Sequence, residues 1–271
     1  MYLPNSYKSS PIWLTIDVEE VEDANFGITP KKKLDIDYPS IMEKWMRLCD
    51  RHHIKSTAFV LGSFAQKYPD TIKKLHDAGH EIACHGLRHE LVYDLDYEVW
   101  YEETARAKAI LEDITGSEVK GYRSPSWTLP FQKRYYEALA DMGFAYSSSY
   151  FPFRTYMYGN AIDKKRPFII FTDKGQITEI PVPKYIIPFS GGFYMRVLPF
   201  FVVKFLLKRL MAQGHKPIIY THPYELLPDL FGRFLDRVRL DKAYILTFAN
   251  IADSYKRFDT ILQNFAKEQD A

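Results

Sequence analysis

Two histidines, His85 and His89, stand four residues apart directly after the short apolar run 82–84. If the chain turns helically from His85 onward, the two imidazoles lie on one face and can bind a single divalent metal ion. A catalytic metal site also needs a third protein ligand and an open coordination position for water. The spacing alone is also typical of two ordinary core or surface histidines, so its meaning depends on the rest of the chain.

Other polar residues follow predicted strands in the same way. The run before each of them is apolar and β-rich: 12–16 before Asp17 and Glu19, 119–122 before Arg123, and 217–220 before His222. Alternating strands and helices predict a parallel sheet with crossover helices. Because an α/β barrel collects the carboxyl ends of its strands at one face, we expect all four polar clusters to meet in one site.

Apolar periodicity and Gly and Pro punctuation predict the remaining elements. Further strands are expected over 57–61, 82–84, 168–171 and 176–180. Helices are expected over 41–52 (capped by Ser40), 69–79, 96–116, 132–142, 197–211, 225–236 and 250–267. The whole chain, 1–271, is predicted to be a single domain whose last helices occupy 225–271.

The helix predicted over 197–211 is strongly apolar but carries Lys204, Lys208 and Arg209. It is too short to span a bilayer. We expect it to pack on the sheet, with peripheral attachment to a membrane surface as the alternative. The aromatic-rich stretch 144–158 also has two interpretations, core packing or a wall for a ring-shaped ligand.

Bulk composition limits the classes of function. A formal net charge of +2 gives no electrostatic reason to expect nucleic-acid binding. The two cysteines, Cys49 and Cys84, imply no disulfide framework. The amino-terminal stretch lacks an apolar signal core, and no apolar run is long enough to cross a bilayer. We therefore expect a cytoplasmic protein, and the sequence does not predict its oligomeric state.

The residue types suit metal-assisted hydrolysis of an amide or ester. A metal ion held by two histidines and one carboxylate polarises a carbonyl group and activates a water molecule. A second carboxylate can take the proton of that water, and a histidine on the opposite side can protonate the leaving group. An arginine beside the base can keep it ionised and oriented. The four clusters contain all of these groups.

In their order, the clusters resemble the five motifs of the polysaccharide deacetylases, the NodB-homology type of carbohydrate esterase family four. The resemblance covers about residues 12–225. Its five motifs are matched by 15–19, 85–89, 123–125, 179–181 and 219–222. It implies a distorted (β/α)7-type barrel and an enzyme that removes N-acetyl groups from sugars.

The resemblance also implies roles for individual residues. Asp17 is the expected base, Arg123 its partner, and His222 the general acid. His85 and His89 are expected to bind one divalent metal ion, with zinc favoured and cobalt, nickel or manganese as alternatives. The expected sugar-binding residues are Trp127, Ser126, Tyr146, Tyr150, Phe193 and Tyr194. The expected supporting residues are Pro125 and Glu179, with Glu179 placed behind the second ring nitrogen of His222.

Departures from the family pattern affect the metal site. Val18 stands where many members carry a second aspartate that binds the metal. A D-x-E spacing keeps two carboxylates on the same side of an extended strand, which favours Glu19 as the third ligand and leaves Glu20 as the alternative. Gly86 replaces the usual Ser or Thr of the second motif, and Ser147 replaces the aspartate of a commoner Tyr-Asp pair.

A narrower resemblance, carried by 146–149, 151–152 and 190–194, is to the deacetylases found with bacterial exopolysaccharide synthesis and export. It implies an N-acetylated sugar of a bacterial polysaccharide, or of its precursor, as the substrate. Two alternatives are a metal-independent hydrolase of a cyclic amide and a non-catalytic glycan-binding protein on the same barrel. The retained histidine pair argues against the first, and the retained base and acid argue against the second.

Overall fold

The computed structural model describes residues 1–24, 34–154, 159–160, 164–187, 189, 191–230 and 250–266. Across these ranges the strands form one eight-stranded sheet. Its strands are β1 (Trp13–Val18), β2 (Thr57–Val60), β3 (Glu81–Cys84), β4 (Gly121–Tyr122), β5 (Tyr146–Ser147), β6 (Phe168–Thr172), β7 (Gly175–Glu179) and β8 (Ile218–Thr221). The short strand β5, inside the aromatic-rich stretch, is the one that periodicity did not predict separately.

The strands lie in the order β6-β7-β5-β4-β3-β2-β1-β8. Every neighbouring pair is parallel except β6 and β7, which form an antiparallel hairpin. The sheet is therefore a half-barrel of parallel strands extended at one edge by β6. The predicted α/β fold with a parallel sheet is confirmed.

Helices surround this sheet, most of them on its outer face. They are α1 (Asn5–Lys8), α2 (Tyr38–Arg51), α3 (Gly62–Lys67), α4 (Pro69–Asp77), α5 (Tyr97–Thr115), α6 (Lys133–Asp141), α7 (Gly192–Val197), α8 (Phe200–Ala212) and α9 (Ser254–Phe265). Of these, α1 lies at the amino-terminal end of the half-barrel, where Tyr7 packs on Trp13. The predicted helix 225–236 overlaps a short 3-10 turn, Pro223–Leu226, and its part after residue 230 lies outside the described residues. Among the helices of the described ranges, none has the length and apolar character needed to cross a bilayer.

Side chains of β1 alternate between two environments. Leu14, Ile16 and Val18 pack with the core residues under the helices. Trp13 belongs to a second cluster inside the half-barrel, and Thr15 and Asp17 face the same interior, where both contact Arg123. This period of two, inherent in any extended strand, points Asp17 into the interior at the carboxyl end of β1.

Local sequence explains where two long helices begin and end. α5 ends at Gly116, whose φ of 65° is left-handed and suits the C-cap that was predicted. α2 begins at Tyr38, earlier than predicted, because Asp37 rather than Ser40 caps it. The Oδ1 atom of Asp37 accepts a hydrogen bond from the backbone N–H of Ser40 at 3.1 Å.

The amino-terminal end of the half-barrel is closed by a buried polar network around Glu81, the first residue of β3. Thr57 Oγ1 donates to one oxygen of Glu81 at 2.8 Å, and the hydroxyl of Tyr146 donates to the other at 2.9 Å. Tyr146 is fully buried and points away from the carboxyl ends of the strands. Its predicted contact with a bound sugar is therefore wrong, because its ring completes the core at the opposite end.

Candidate active site

Three strands deliver the central groups of the site. Glu19 follows the end of β1, His85 follows the end of β3, and His222 follows the end of β8. β8 and β2 flank β1, and β3 lies beyond β2. The parallel sheet thus brings residues from both ends of the chain together at its carboxyl edge.

Glu19, His85 and His89 form a compact cluster of potential metal ligands. One ligand atom from each residue lies within 4.8 Å of those of the other two. Glu19 Oε2 is 3.0 Å from Nε2 of His89 and 3.8 Å from Nε2 of His85. The alternative ligand Glu20 points elsewhere and accepts a hydrogen bond from the hydroxyl of Tyr68 at 3.0 Å.

The histidine pair converges without a helix, although the spacing predicts a helical turn. Residues 87–89 form a bend after β3, and Gly86 has a φ of 91°. This left-handed conformation is readily adopted by glycine and strained for other residues. It turns the chain so that the two imidazole rings lie 5.5 Å apart, and it gives a conformational reason for glycine where the family usually has Ser or Thr.

His85 is prepared to act as a neutral ligand. Its Nδ1 lies 2.8 Å from the carbonyl oxygen of Arg123. A carbonyl only accepts hydrogen bonds, so Nδ1 carries the proton and Nε2 presents its lone pair toward Glu19. Burial, together with neighbouring His89, lowers the pKa of His85 to about 3.

The environment of Glu19 fits a divalent cation. Burial opposes ionisation of this carboxylate, but His89, His222 and His85 lower its pKa below the usual value. Oε2 is buried and, despite its proximity to His89, accepts no hydrogen bond of good geometry. A buried, charged oxygen facing two imidazole nitrogens has the donor chemistry of a zinc-like site.

Asp17 and Arg123 form a buried ion pair beside this cluster. Arg123 Nη1 donates to Asp17 Oδ1 at 2.6 Å and to Thr15 Oγ1 at 3.0 Å, while Nη2 donates to Ser148 Oγ at 3.2 Å. The guanidinium also lies over the ring of Phe59, 3.9 Å from its centre. The ring contact and the hydrogen bonds together fix the arginine, which in turn fixes the Asp17 carboxylate.

His222 is held by Glu225, not by Glu179 as predicted. Nδ1 of His222 lies 3.0 Å from Glu225 Oε2, and the other oxygen of Glu225 accepts bonds from Arg196 Nε at 3.0 Å and Nη2 at 2.8 Å. Burial works against the charge of Glu225, but Arg196 and His222 lower its pKa to about 2. In turn, and against its own burial, His222 has its pKa raised to about 9 by Glu225 and Glu19.

Glu179 supports a different part of the structure. It is fully buried, and its Oε1 accepts hydrogen bonds from the backbone N–H groups of Ser149 at 2.8 Å and Tyr150 at 2.9 Å. Its burial raises its pKa. Glu179 therefore anchors the segment after β5 that carries Ser148, a contact of Arg123. It reaches the site only through that segment.

Tyr224 connects the two halves of the site. Its hydroxyl donates to Glu19 Oε1 at 3.2 Å, and its ring stacks on that of His222 with 5.1 Å between centres and 7° between planes. Nε2 of His222 lies 3.9 Å from the same oxygen of Glu19. The His222 side chain is 20% exposed, so this edge of the site is open to a ligand.

The predicted sugar-binding residues do not all reach the surface. Trp127 is only 7% exposed and packs between Tyr220, Phe151 and the Arg123 guanidinium. Tyr150 is buried against Phe131 and Phe168, so its predicted contact with sugar is wrong for this conformation. Ser126, Phe193 and Tyr194 keep accessible surface and remain candidates. Residues 155–158 of the aromatic-rich stretch lie outside the described ranges.

An unusual backbone positions Trp127. Ser126 and Trp127 both have left-handed φ angles, 49° and 52°, which are uncommon for residues with a Cβ. Pro125 packs toward Gly86, since a Cβ added there would lie 3.7 Å from its ring. Strained backbone often clusters at functional sites, and here it places the indole 5.6 Å from the guanidinium that binds Asp17.

Sequence reasoning missed three residues of the site: Glu225, Arg196 and Tyr224. Glu225 had a signal, because a glutamate three residues after a helix-capping position is the spacing of a capping box. Its carboxylate indeed accepts from the backbone N–H of His222 at 3.1 Å. Arg196 and Tyr224 gave no comparable signal, since nothing in their neighbourhood in the chain indicates that both turn inward.

Comparison with known proteins assigns the chain to a family. The sequence profile of the polysaccharide deacetylase family matches residues 10–147, just over half of the chain, which therefore belongs to that family. A domain of unknown function, DUF3473, matches residues 148–269. A peptidoglycan deacetylase of Helicobacter pylori is 28% identical over 104 residues, which are 38% of this chain and 35% of that protein. The chain thus spans about a third of the length of this curated relative.

Solved structures share the fold over nearly the whole chain. A probable polysaccharide deacetylase from Pseudomonas aeruginosa PAO1 has a TM-score of 0.61 at 19% identity, covering 99% of this chain and 92% of that one. Puue allantoinase has a TM-score of 0.57 at 19% identity, covering 98% and 91%. At these identities the similarity is one of fold, so the choice between activities depends on the side chains of the site.

Proposed function

We propose that this protein is a metal-dependent deacetylase that hydrolyses the N-acetyl group of an N-acetylated sugar. The observation that carries the proposal is the position of Glu19. One of its oxygens faces His85 and His89, and the other lies 3.9 Å from Nε2 of His222. A potential metal site and a potential proton donor therefore flank one carboxylate. Membership of the family and the Helicobacter pylori relative support the same activity.

Each polar group has a role in this reaction. Glu19, His85 and His89 would hold the metal ion, which when bound polarises the acetyl carbonyl and activates water. Asp17, oriented by Arg123, takes a proton from the attacking water as its oxygen joins the carbonyl carbon. His222 gives a proton from Nε2 to the nitrogen as the C–N bond breaks. The products are acetate and a sugar with a free amine.

Acetate release from N-acetylated sugar oligomers, measured with and without added zinc, tests this activity. Asp17→Asn keeps the shape of the side chain but removes the base, so we expect turnover to fall on the order of 10²–10⁴-fold. Metal content should stay at the wild-type level, because Asp17 is not a ligand in this scheme. Near-normal turnover in the Asn variant would exclude Asp17 as the base.

We further propose zinc as the ion and a bacterial exopolysaccharide, or a precursor of it, as the source of the sugar. The donor set of two imidazoles and one carboxylate supports zinc. The motifs in 146–149, 151–152 and 190–194 support the substrate class. Comparing acetate release from polymeric, lipid-linked and nucleotide-linked N-acetylhexosamines would identify the natural form.

We also propose that the chain forms one domain, although two family profiles divide it at residue 147. One sheet contains strands from both matched segments, and β8 of the second segment pairs with β1 of the first. His222 and Glu225 come from the second segment and Asp17 and Glu19 from the first. Each segment thus supplies groups that the proposed reaction needs.

A further inference from the structure

Helix α8 is packed on one side and carries exposed apolar side chains on the other. Val203, Leu206, Leu207 and Leu210 are buried against the rest of the fold, as predicted for a helix that covers the sheet. On the other side, Phe201 and Phe205 stand one turn apart and are 72% and 57% exposed. Large exposed apolar side chains in adjacent positions are uncommon on soluble surfaces and typically mark an interaction site.

Cations flank the two phenylalanines on the exposed side of α8. With 100° per residue, Phe201 and Phe205 fall at the centre of that side, Lys204 and Lys208 along one margin, and Arg209 along the other. Lys208 and Arg209 are exposed. We call Phe201, Lys204, Phe205, Lys208 and Arg209 the α8 surface.

The sequence around the α8 surface carries no acidic residue. From Glu179 to Glu225 there is not a single Asp or Glu between those two, whereas the stretch holds six Lys and Arg residues. The whole chain, by contrast, is nearly balanced, with a formal charge of +2. Positive charge is therefore concentrated in the part of the chain that contains the exposed phenylalanines.

A second group of cations adjoins the end of α8. A Cβ added at Gly214 would lie 3.7 Å from Nη2 of Arg166, so Arg166 lies next to the helix terminus. A shallow concave surface at this terminus encloses a volume of about 510 Å³. It is lined by Lys164, Lys165, Arg166, Pro167, Phe168 and His215. Among the described residues of this lining, three are Lys or Arg and none carries a carboxylate, which suits a phosphate group.

We propose that the α8 surface docks on an anionic phospholipid membrane. Phe201 and Phe205 would enter the boundary between headgroups and acyl chains, while Lys204, Lys208 and Arg209 contact lipid phosphates. The basic concave surface at the end of the helix extends this footprint. A second copy of the chain fits less well, because a two-fold contact through this surface would bring its cations close to those of the partner.

Sedimentation with vesicles of phosphatidylcholine, with or without phosphatidylglycerol, tests the proposal. The wild type should bind the anionic vesicles only, and binding should weaken as salt rises. Lys208→Gln with Arg209→Gln should weaken it about 25-fold, at about fivefold per cation removed. Phe201→Ser with Phe205→Ser should weaken it at least as much. The activity of both variants on a soluble substrate should be unchanged, because neither pair belongs to the catalytic machinery.

Phe171→Ser is the matched control. Phe171 is 73% exposed but lies on β6, and the hairpin that follows it carries Asp173, which pairs with Lys133. Its vesicle binding should equal that of the wild type. The proposal would be overturned if the α8 variants bound vesicles as well as the wild type does, or if the wild type did not bind vesicles at all. Concentration-dependent dimers that only the phenylalanine variant abolishes, without vesicle binding, would instead assign the surface to self-association.

Discussion

His222 is held at one ring nitrogen and on one ring face, which leaves its other ring nitrogen for chemistry. Glu225 meets Nδ1, Tyr224 stacks on the ring face, and Nε2 points toward Glu19. Because the buried Glu225 carboxylate accepts from Nδ1, the proton available for transfer is the one on Nε2. The arrangement resembles a histidine that gives its proton to a leaving group rather than one that only ends a strand.

His222→Ala should therefore affect substrates unequally. An amine leaves poorly unless it is protonated as the bond breaks, so amide hydrolysis should fall on the order of 10²–10⁴-fold. An activated acetyl ester has a leaving group that needs no proton, and its hydrolysis should fall much less. Rates on both substrates, with bound metal measured in parallel, give the comparison. Equal losses would indicate that His222 is structural or stabilises the oxyanion.

Two neighbouring glutamates allow the metal site to be tested with a matched control. Glu19→Gln removes the carboxylate that we propose as the metal ligand, whereas Glu20→Gln changes the next side chain, which contacts Tyr68 instead. Zinc at 100 times its dissociation constant should stabilise the wild type and the Glu20 variant by about 2.7 kcal/mol. The Glu19 variant should show little shift in thermal unfolding. A full shift in that variant would remove Glu19 from the ligand set.

At the scale of elements, α7 packs closely against the turn after β8, and a glycine lies at the point of contact. A Cβ added to Gly192, the first residue of α7, would lie 1.9 Å from Glu225 Oε2. The buried carboxylate cannot yield that space while it binds both Arg196 and His222. Glycine at position 192 therefore leaves Glu225 the space that it needs to hold His222.

Gly192→Ala should lower kcat at least tenfold without loss of metal, because it displaces Glu225 and with it His222. Gly116→Ala is a useful control. It strains a left-handed C-cap, but nothing lies within 4 Å of the added Cβ. That variant should lose about 1 kcal/mol of stability and keep its kcat. Equal kcat in the two variants would show that the fit around Glu225 does not matter for catalysis.

Strands β1 and β8 illustrate what sequence can predict about elements. Both are apolar runs that end in polar residues, and this pattern by itself predicts that Asp17, Glu19 and His222 lie at one edge of the sheet. The direction of the aromatic side chains was not predictable in this way. Tyr146 and Tyr150 are four residues apart in a stretch that suits a sugar wall, yet both are buried.

The reason is physical. Periodicity reports which residues avoid water, but a buried tyrosine and a sugar-stacking tyrosine have the same apolar ring. Which one is present depends on distant partners, such as Glu81 for the hydroxyl of Tyr146. The same limit applies to Arg196, whose buried guanidinium pairs with the distant Glu225. Polar residues at strand ends are predictable, whereas long-range pairs that turn inward are not.

At the scale of the whole molecule, stability should depend on pH through His80, which lies at the start of β3. Its Nδ1 accepts a hydrogen bond from the backbone N–H of Ser56 at 3.1 Å, and burial lowers its pKa to about 4. The unfolded chain, with an ordinary histidine pKa near 6.5, binds the proton more readily. The contribution of His80 is therefore complete above about pH 6.5 and is lost as the pH falls toward 4.

Urea unfolding at several pH values measures this dependence. The slope from His80 should approach roughly 1.4 kcal/mol per pH unit between its two pKa values. His80→Gln can still accept a hydrogen bond but cannot take up a proton, so its curve should be flatter over that range. Identical slopes for the variant and the wild type would assign the acid sensitivity to other groups.

The order of the strands along the chain has a consequence for the order in which parts of the site form during folding. The pairings of β1 with β2 and of β2 with β3 lie within the first 84 residues, and the three proposed metal ligands are all present by His89. β8 must return across about 200 residues to pair with β1, and contacts of such long range form slowly. The proposed metal ligands thus lie early in the chain and the proposed proton donor lies late. If the proposed roles hold, a preparation in which the last strand has not yet docked would bind the ion but turn over no substrate, so metal content alone would overstate the active fraction.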